Sequence, residues 1–172
     1  MSKFLIEDRP TLTCMIQART PERVSELIKK GLDGGTDAFA IQIDQLEREY
    51  RTESCYRVLF EKMGGKPVYV TDYRNNMSTG MTDGELADEL LTLAKSGAAL
   101  VDVMSDLYCP SKDEITRDSA ADAKQRELIN KIHSYGAEVL MSSHTYRFLN
   151  FDEVREIAKI QSDRGADIVK IV

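Results

Sequence analysis

Short apolar runs alternate with longer stretches of helical period along this chain. The runs cover residues 11–16, 39–43, 68–71, 100–103, 138–141 and 168–172. Each has the length and β-branched content of a strand buried on both faces. Between them, apolar positions recur with helical spacing. Leu27, Ile28, Gly31 and Leu32 mark one helix, and Leu86, Leu90, Leu93 and Ala94 another. Leu128, Ile129 and Ile132 mark a third, and Val154, Ile157, Ala158 and Gln161 a fourth. A further helix, the least regular, is expected around Tyr56 to Met63.

Start and stop signals agree with this division. Thr20-Pro21-Glu22 reads as an N-cap, a proline at the first helical position and an acidic first turn. Asn150 with Asp152 and Glu153 repeats the pattern. Gly35, Gly97, Gly136 and Gly165 fit helix C-terminal stops. One phrase recurs: Gly97-Ala98-Ala99, Gly136-Ala137-Glu138 and Gly165-Ala166-Asp167 each lead a helix into a strand. Strand–helix alternation predicts an α/β fold of parallel strands joined by crossover helices. A doubly wound open sheet and a (β/α) TIM-barrel type both fit. No Gly-x-Gly-x-x-Gly or GxxxxGK[ST] follows a strand, which weakens the nucleotide-binding versions. Polar residues gather at the strand C-terminal ends, the edge where barrels build their sites.

Composition narrows the function classes. With 42% hydrophobic and 30% charged residues, a packed core is expected. A net charge of −6 argues against nucleic acid or an anionic membrane as the main partner. A small anionic substrate stays open, because a few local arginines outweigh a distant negative surface. The three cysteines, Cys14, Cys55 and Cys109, are widely spaced, which predicts free thiols in a reducing compartment. The charged start of the chain lacks a signal-peptide or membrane-spanning pattern, so a cytoplasmic protein is expected.

Three residues stand out chemically. Lys170 lies within the last strand, where burial without a partner would depress its pKa and leave a neutral, nucleophilic amine. Alternatively the strand ends there and the side chain reaches water. His144 ends the fifth strand, placed as a proton shuttle or as a histidine capping a loop. Arg74 follows the third strand, placed to clamp a carboxylate or to pair with Asp72 or Asp83. Asp44 and Asp102 are read as satisfying loop amides, and His133 as exposed on a helix.

Ser142-Ser143-His144-Thr145-Tyr146, followed by Asn150 to Val154, resembles the histidine segment of type I 3-dehydroquinate dehydratases. Gly165-Ala166-Asp167-Ile168-Val169-Lys170-Ile171 resembles their lysine segment. Cys14 to Thr20, Arg74 and Val101-Asp102-Val103 fall in the family's order. The resemblance implies a Schiff-base lyase of the shikimate pathway that converts 3-dehydroquinate to 3-dehydroshikimate. Lys170 would form the imine and His144 would act as acid/base, with Arg74 and Gln42 at substrate-contact positions. It implies a small anionic carbonyl substrate and no metal or diffusible cofactor.

Departures from the family pattern matter. Ala40 and Gln42 stand where the family has glutamate and arginine, Ser78 where it has a glutamate beside the histidine, and Met104 where a glutamate is common. The loss at Ser78 predicts a histidine no longer held in place. A (β/α)₈ barrel runs to about 250 residues. Residues 1–172 are therefore expected to form one partial barrel domain, truncated after the sixth strand, with an open edge that is covered by a partner chain in a homo-oligomer or makes the protein aggregation-prone. A lyase or aldolase for another oxo-acid, or a metabolite-binding regulatory homologue, are the alternatives.

Overall fold

The computed structural model describes residues 2–172. Six strands alternate with five helices: β1 (Thr13–Ile16), α1 (Pro21–Asp33), β2 (Ala38–Gln42), α2 (Glu53–Glu61), β3 (Val68–Thr71) and α3 (Asp83–Lys95). Then follow β4 (Leu100–Met104), α4 (Ser119–Ser134), β5 (Glu138–Ser143), α5 (Phe151–Asp163) and β6 (Ile168–Ile171). All neighbouring strands are parallel and their order is that of the chain, β1-β2-β3-β4-β5-β6. A doubly wound sheet would reverse its order at a switch point and carry helices on both faces. Here the order never reverses, and α1 packs on α2, α2 on α3 and α3 on α4, so these helices share one face. This is barrel-type winding in a sheet that does not close; β1 and β6 are its two edges.

Alternation along the strands sorts the residues between two layers. Phe39, Ile41, Val70, Val101, Val103, Val139 and Met141 meet the helices in the main core. Their neighbours Ala38, Ala40, Tyr69, Leu100 and Leu140 face the other way and form a smaller inner cluster with Phe4. The first residues floor this inner layer. Phe4 sets its ring edge-on to Tyr69 at 5.9 Å, while Ser2 Oγ and Lys3 N donate to Glu138 Oε2 at 2.7 and 3.0 Å.

The expected caps are present. Thr20 and Asn150 accept from the third residue of α1 and α5, and Pro21 opens α1. Gly97 and Gly165 take φ of 109° and 107° just past their helices, conformations that a side chain would strain. Strand β1 begins later than expected, because the Leu12 carbonyl is claimed by the N–H groups of Asp37 and Ala38 and by the Thr36 hydroxyl. Helix α2 begins earlier, at an unforeseen N-cap, Thr52. The three cysteines are free thiols. Among the described residues, no helix is long and apolar enough to cross a membrane.

Candidate active site

The C-terminal ends of β3 to β6 carry the polar inner-face residues. Lys170 of β6 lies in register with Ser142 of β5, which is in register with Met104 of β4. Its Nζ donates to the Tyr73 hydroxyl at 3.3 Å and lies 3.8 Å from Asp102 Oδ2. The side chain is 33% exposed, since β6 is an edge strand. Of the two readings of the strand pattern, a dry unpartnered amine and a side chain reaching water, the fold lies nearer the second: Lys170 is partly exposed and faces the Asp102 carboxylate.

Asp102 departs from the sequence expectation. Asp102 does not bind loop amides. Fully buried, its carboxylate accepts from the hydroxyls of Tyr69, Tyr73 (2.8 Å) and Ser142 (2.5 Å). Burial, followed by the charge of Asp102, pushes both phenols well above the usual tyrosine range, so both stay protonated donors.

His144, just past β5, is held by Glu114. One carboxylate oxygen, Oε2, accepts from His144 Nδ1 at 2.7 Å and from its backbone N–H at 3.1 Å. Glu114 comes from the loop between β4 and α4, in a left-handed conformation with φ of 48°. With a carboxylate as acceptor, Nδ1 is the donor of this bond, and Nε2 is the ring nitrogen left free of it. The Tyr73 ring meets the imidazole edge-on, centroids 5.4 Å apart. The expectation that the change at Ser78 unseats the histidine is thus corrected: Glu114 supplies the orienting carboxylate from another loop. Ser78 is itself buried, donating to Asp72 Oδ1 at 2.5 Å and accepting from Arg51 Nη1 at 2.8 Å.

Arg74 borders the same space, but its guanidinium is filled. Nε and Nη2 bind Asp83 at 2.7 and 3.0 Å, and Nη1 binds Asp106 at 2.8 Å. The remaining N–H groups go to the Asp106 carbonyl and Met104 sulfur. All five donors are used within the protein, with Asp106 as a second carboxylate partner beside Asp83. Gln42 accepts from Gln17 Nε2 at 2.6 Å. Asp44 accepts from Asn76 Nδ2 at 2.5 Å, and burial raises its pKa. His133 pairs with Asp167 at 2.8 Å, on the helix layer.

A cleft of about 440 Å³ is lined by Gln42, Tyr73, Arg74, Met104, Glu114 and His144, among others. Lys170 does not line it, but its Nζ contacts Tyr73, which does. Around this space two cations, Arg74 and Lys170, stand against four carboxylates, Asp83, Asp102, Asp106 and Glu114. Among the described residues, no cluster of three His, Cys, Asp or Glu side chains could hold a metal ion.

No family model and no curated protein matches this sequence. Solved structures do match the fold. A 3-dehydroquinate dehydratase from Enterococcus faecalis superimposes with a TM-score of 0.78 at 19% identity, covering 96% of this chain and 66% of its own. A type I 3-dehydroquinate dehydratase from Clostridium difficile gives 0.77 at 18% identity, covering 96% and 63%. A tetrameric deoxyribose phosphate aldolase from Aeropyrum pernix gives 0.58 at 17% identity, covering 93% and 61%. The chain therefore spans less than two thirds of the length of each. At these identities the likeness establishes the fold class, α/β of TIM-barrel type, and these neighbours are enzymes.

Proposed function

We propose that this chain carries the site of a Schiff-base lyase, with Lys170 as nucleophile and His144 as general acid/base. One observation carries the reading: the amine of Lys170 and the imidazole of His144 meet around a single phenol, Tyr73, at the ends of neighbouring strands. An imine at Lys170 acidifies the carbon next to the former carbonyl. His144 Nε2, with Nδ1 fixed by Glu114, removes that proton and returns it to a departing hydroxyl. For 3-dehydroquinate this expels water and leaves 3-dehydroshikimate. The histidine and lysine segments of the sequence, and the fold shared with dehydratases, support this substrate.

The filled guanidinium of Arg74 favours a second reading, cleavage of a carbon–carbon bond in another oxo compound. A carboxylated substrate finds no free arginine donor in the described cleft, and the fold is shared with an aldolase as well. Borohydride reduction followed by mass spectrometry separates the readings. An adduct on Lys170 with 3-dehydroquinate supports dehydration. Trapping only by a small hydroxyaldehyde supports the second reading. If neither compound labels Lys170, the nucleophile assignment fails and a metabolite-binding role takes its place. We further propose a homo-oligomer, supported by the unpaired edge of β6 and the exposed Val169 and Val172 beside it. A monomer in sedimentation velocity at micromolar concentration would refute this.

A further inference from the structure

Lys170 and His144 leave one feature of the inner layer without a use. Asp102 places a carboxylate in a fully buried position, yet among the described residues no N–H donates to it. Three neutral hydroxyls hold its charge, and the nearest cation stands off at 3.8 Å without a direct hydrogen bond. Between that cation and the carboxylate lies the Tyr73 hydroxyl. It accepts from Lys170 Nζ at 3.3 Å and donates to Asp102 Oδ2 at 2.8 Å. The hydrogen bonds therefore run in one direction, from amine through phenol to carboxylate. A counter-ion alone would not require a phenol in the middle.

We propose that Tyr73 and Asp102 are a proton relay for imine formation at Lys170, Tyr73 being a catalytic residue of that step. The proposal rests on Lys170 as nucleophile. In the first transfer, the ammonium gives a proton to the Tyr73 oxygen while the phenol passes its own to Asp102. A neutral amine and a neutral carboxylic acid result. The amine lone pair then forms a C–N bond to the substrate carbonyl carbon. The carbonyl π pair moves to oxygen, which takes a proton from nitrogen, giving a carbinolamine. Asp102 next returns its proton through Tyr73 to the carbinolamine hydroxyl. The C–O bond breaks, water leaves, and the nitrogen lone pair forms the C=N bond of the protonated imine. Asp102 ends as carboxylate and Tyr73 as phenol, so both are ready for the reverse hydrolysis.

The surroundings suit a relay. Tyr69 from β3 and Ser142 from β5 hold the two Asp102 oxygens in place, while Lys170 approaches from β6. The phenols resist ionisation, so Tyr73 passes protons without storing charge. His144 touches only the ring edge of Tyr73 and is free for the later carbon chemistry.

The test uses the purified full chain with glycolaldehyde and, separately, 3-dehydroquinate, each with cyanoborohydride. The rate of reduced adduct appearing on Lys170 is followed by mass spectrometry from pH 6 to 10. The wild-type chain is expected to label Lys170 already near neutral pH. Tyr73→Phe keeps the ring and its packing, and should slow labelling about 100-fold, the usual scale of a positioned proton donor. Its labelling should recover only as pH rises into the range where free lysines lose their proton. Asp102→Asn should slow labelling similarly. If Asp102→Asn is slow but Tyr73→Phe matches the wild type in rate and pH profile, Asp102 is a counter-ion and the relay is refuted. Absence of wild-type labelling overturns the nucleophile reading itself, and the relay with it.

Discussion

Asp72 gives a sharp test of how the loop bearing Tyr73 and Arg74 is held. Its side chain is fully buried just after β3. Oδ1 accepts from Ser78 Oγ, Oδ2 has no partner, and Arg51 Nη1 lies 3.6 Å away. Burial pushes the carboxyl from 3.8 up to about 7, against the Ser78 hydrogen bond and with help from the nearby charge of Glu89. Because the folded pKa lies above the unfolded one, the folded state binds the proton more tightly. The native state therefore loses stability as pH rises from about 4 to about 7, and the cost is complete above that. Each unit is worth about 1.4 kcal/mol, so the full shift amounts to about 4 kcal/mol as an upper bound. Asp72→Asn abolishes this titration. Urea denaturation of both chains at pH 5, 6, 7 and 8 should show the wild type falling relative to Asp72→Asn by about 1 kcal/mol per unit up to pH 7. The comparison uses the change with pH, so any fixed effect of the amide on Arg51 cancels. Parallel curves, or a variant that loses stability faster than the wild type as pH rises, would refute the reasoning.

Other consequences are equally open to measurement. Glu114→Gln removes the charge from a 2.7 Å hydrogen bond to His144 and should lower kcat about 10- to 100-fold, with Lys170 labelling intact; an unchanged kcat would show that the carboxylate is dispensable. Ser78→Glu buries a second carboxylate against Asp72 and should cost about 3 kcal/mol or more in urea. A Ser78→Glu chain as stable as the wild type would refute this. Arg74→Met strands the buried Asp106 and the partly buried Asp83, and about 2–3 kcal/mol of stability should go with it. KM for a carboxylated carbonyl compound should change less than twofold; a large rise in KM would return Arg74 to the role of substrate clamp.

Periodicity and glycine punctuation were enough to read the strands and most helix ends, because each is set by local rules. The site was only half legible. Lys170 and His144 could be picked out because a charged or titratable residue at the end of an apolar run is locally anomalous. Glu114 could not: it sits in an aperiodic loop and reaches His144 only through the pairing of β4 with β5. Tyr73 and Asp102 carried a signal that went unused. Counting by twos from Tyr69 puts Tyr73 on the inner side, and Asp102 is the one charged residue inside β4, as Lys170 is inside β6. Two opposite charges, each alone in an apolar strand, are a reason to look for a pair. Arg74 was half read, since Asp83 was named as a partner and Asp106, brought in by β4, was not.

The floor of the inner layer also sets a timetable. Ser2 and Glu138, 136 positions apart, are hydrogen-bonded, and Phe4 needs Tyr69, Leu100 and Leu140 around it. Contacts between such distant parts of a chain form late and slow its folding. On a ribosome adding about 5–20 residues per second, roughly 7–27 s pass between the synthesis of Ser2 and that of its partner. Throughout that interval Phe4 has no inner layer to enter. The outer layer meets no such delay, because each helix packs on strands made just before or after it. A nascent chain would thus carry a finished coat of helices over an unsealed interior, with Phe4 still open to a chaperone.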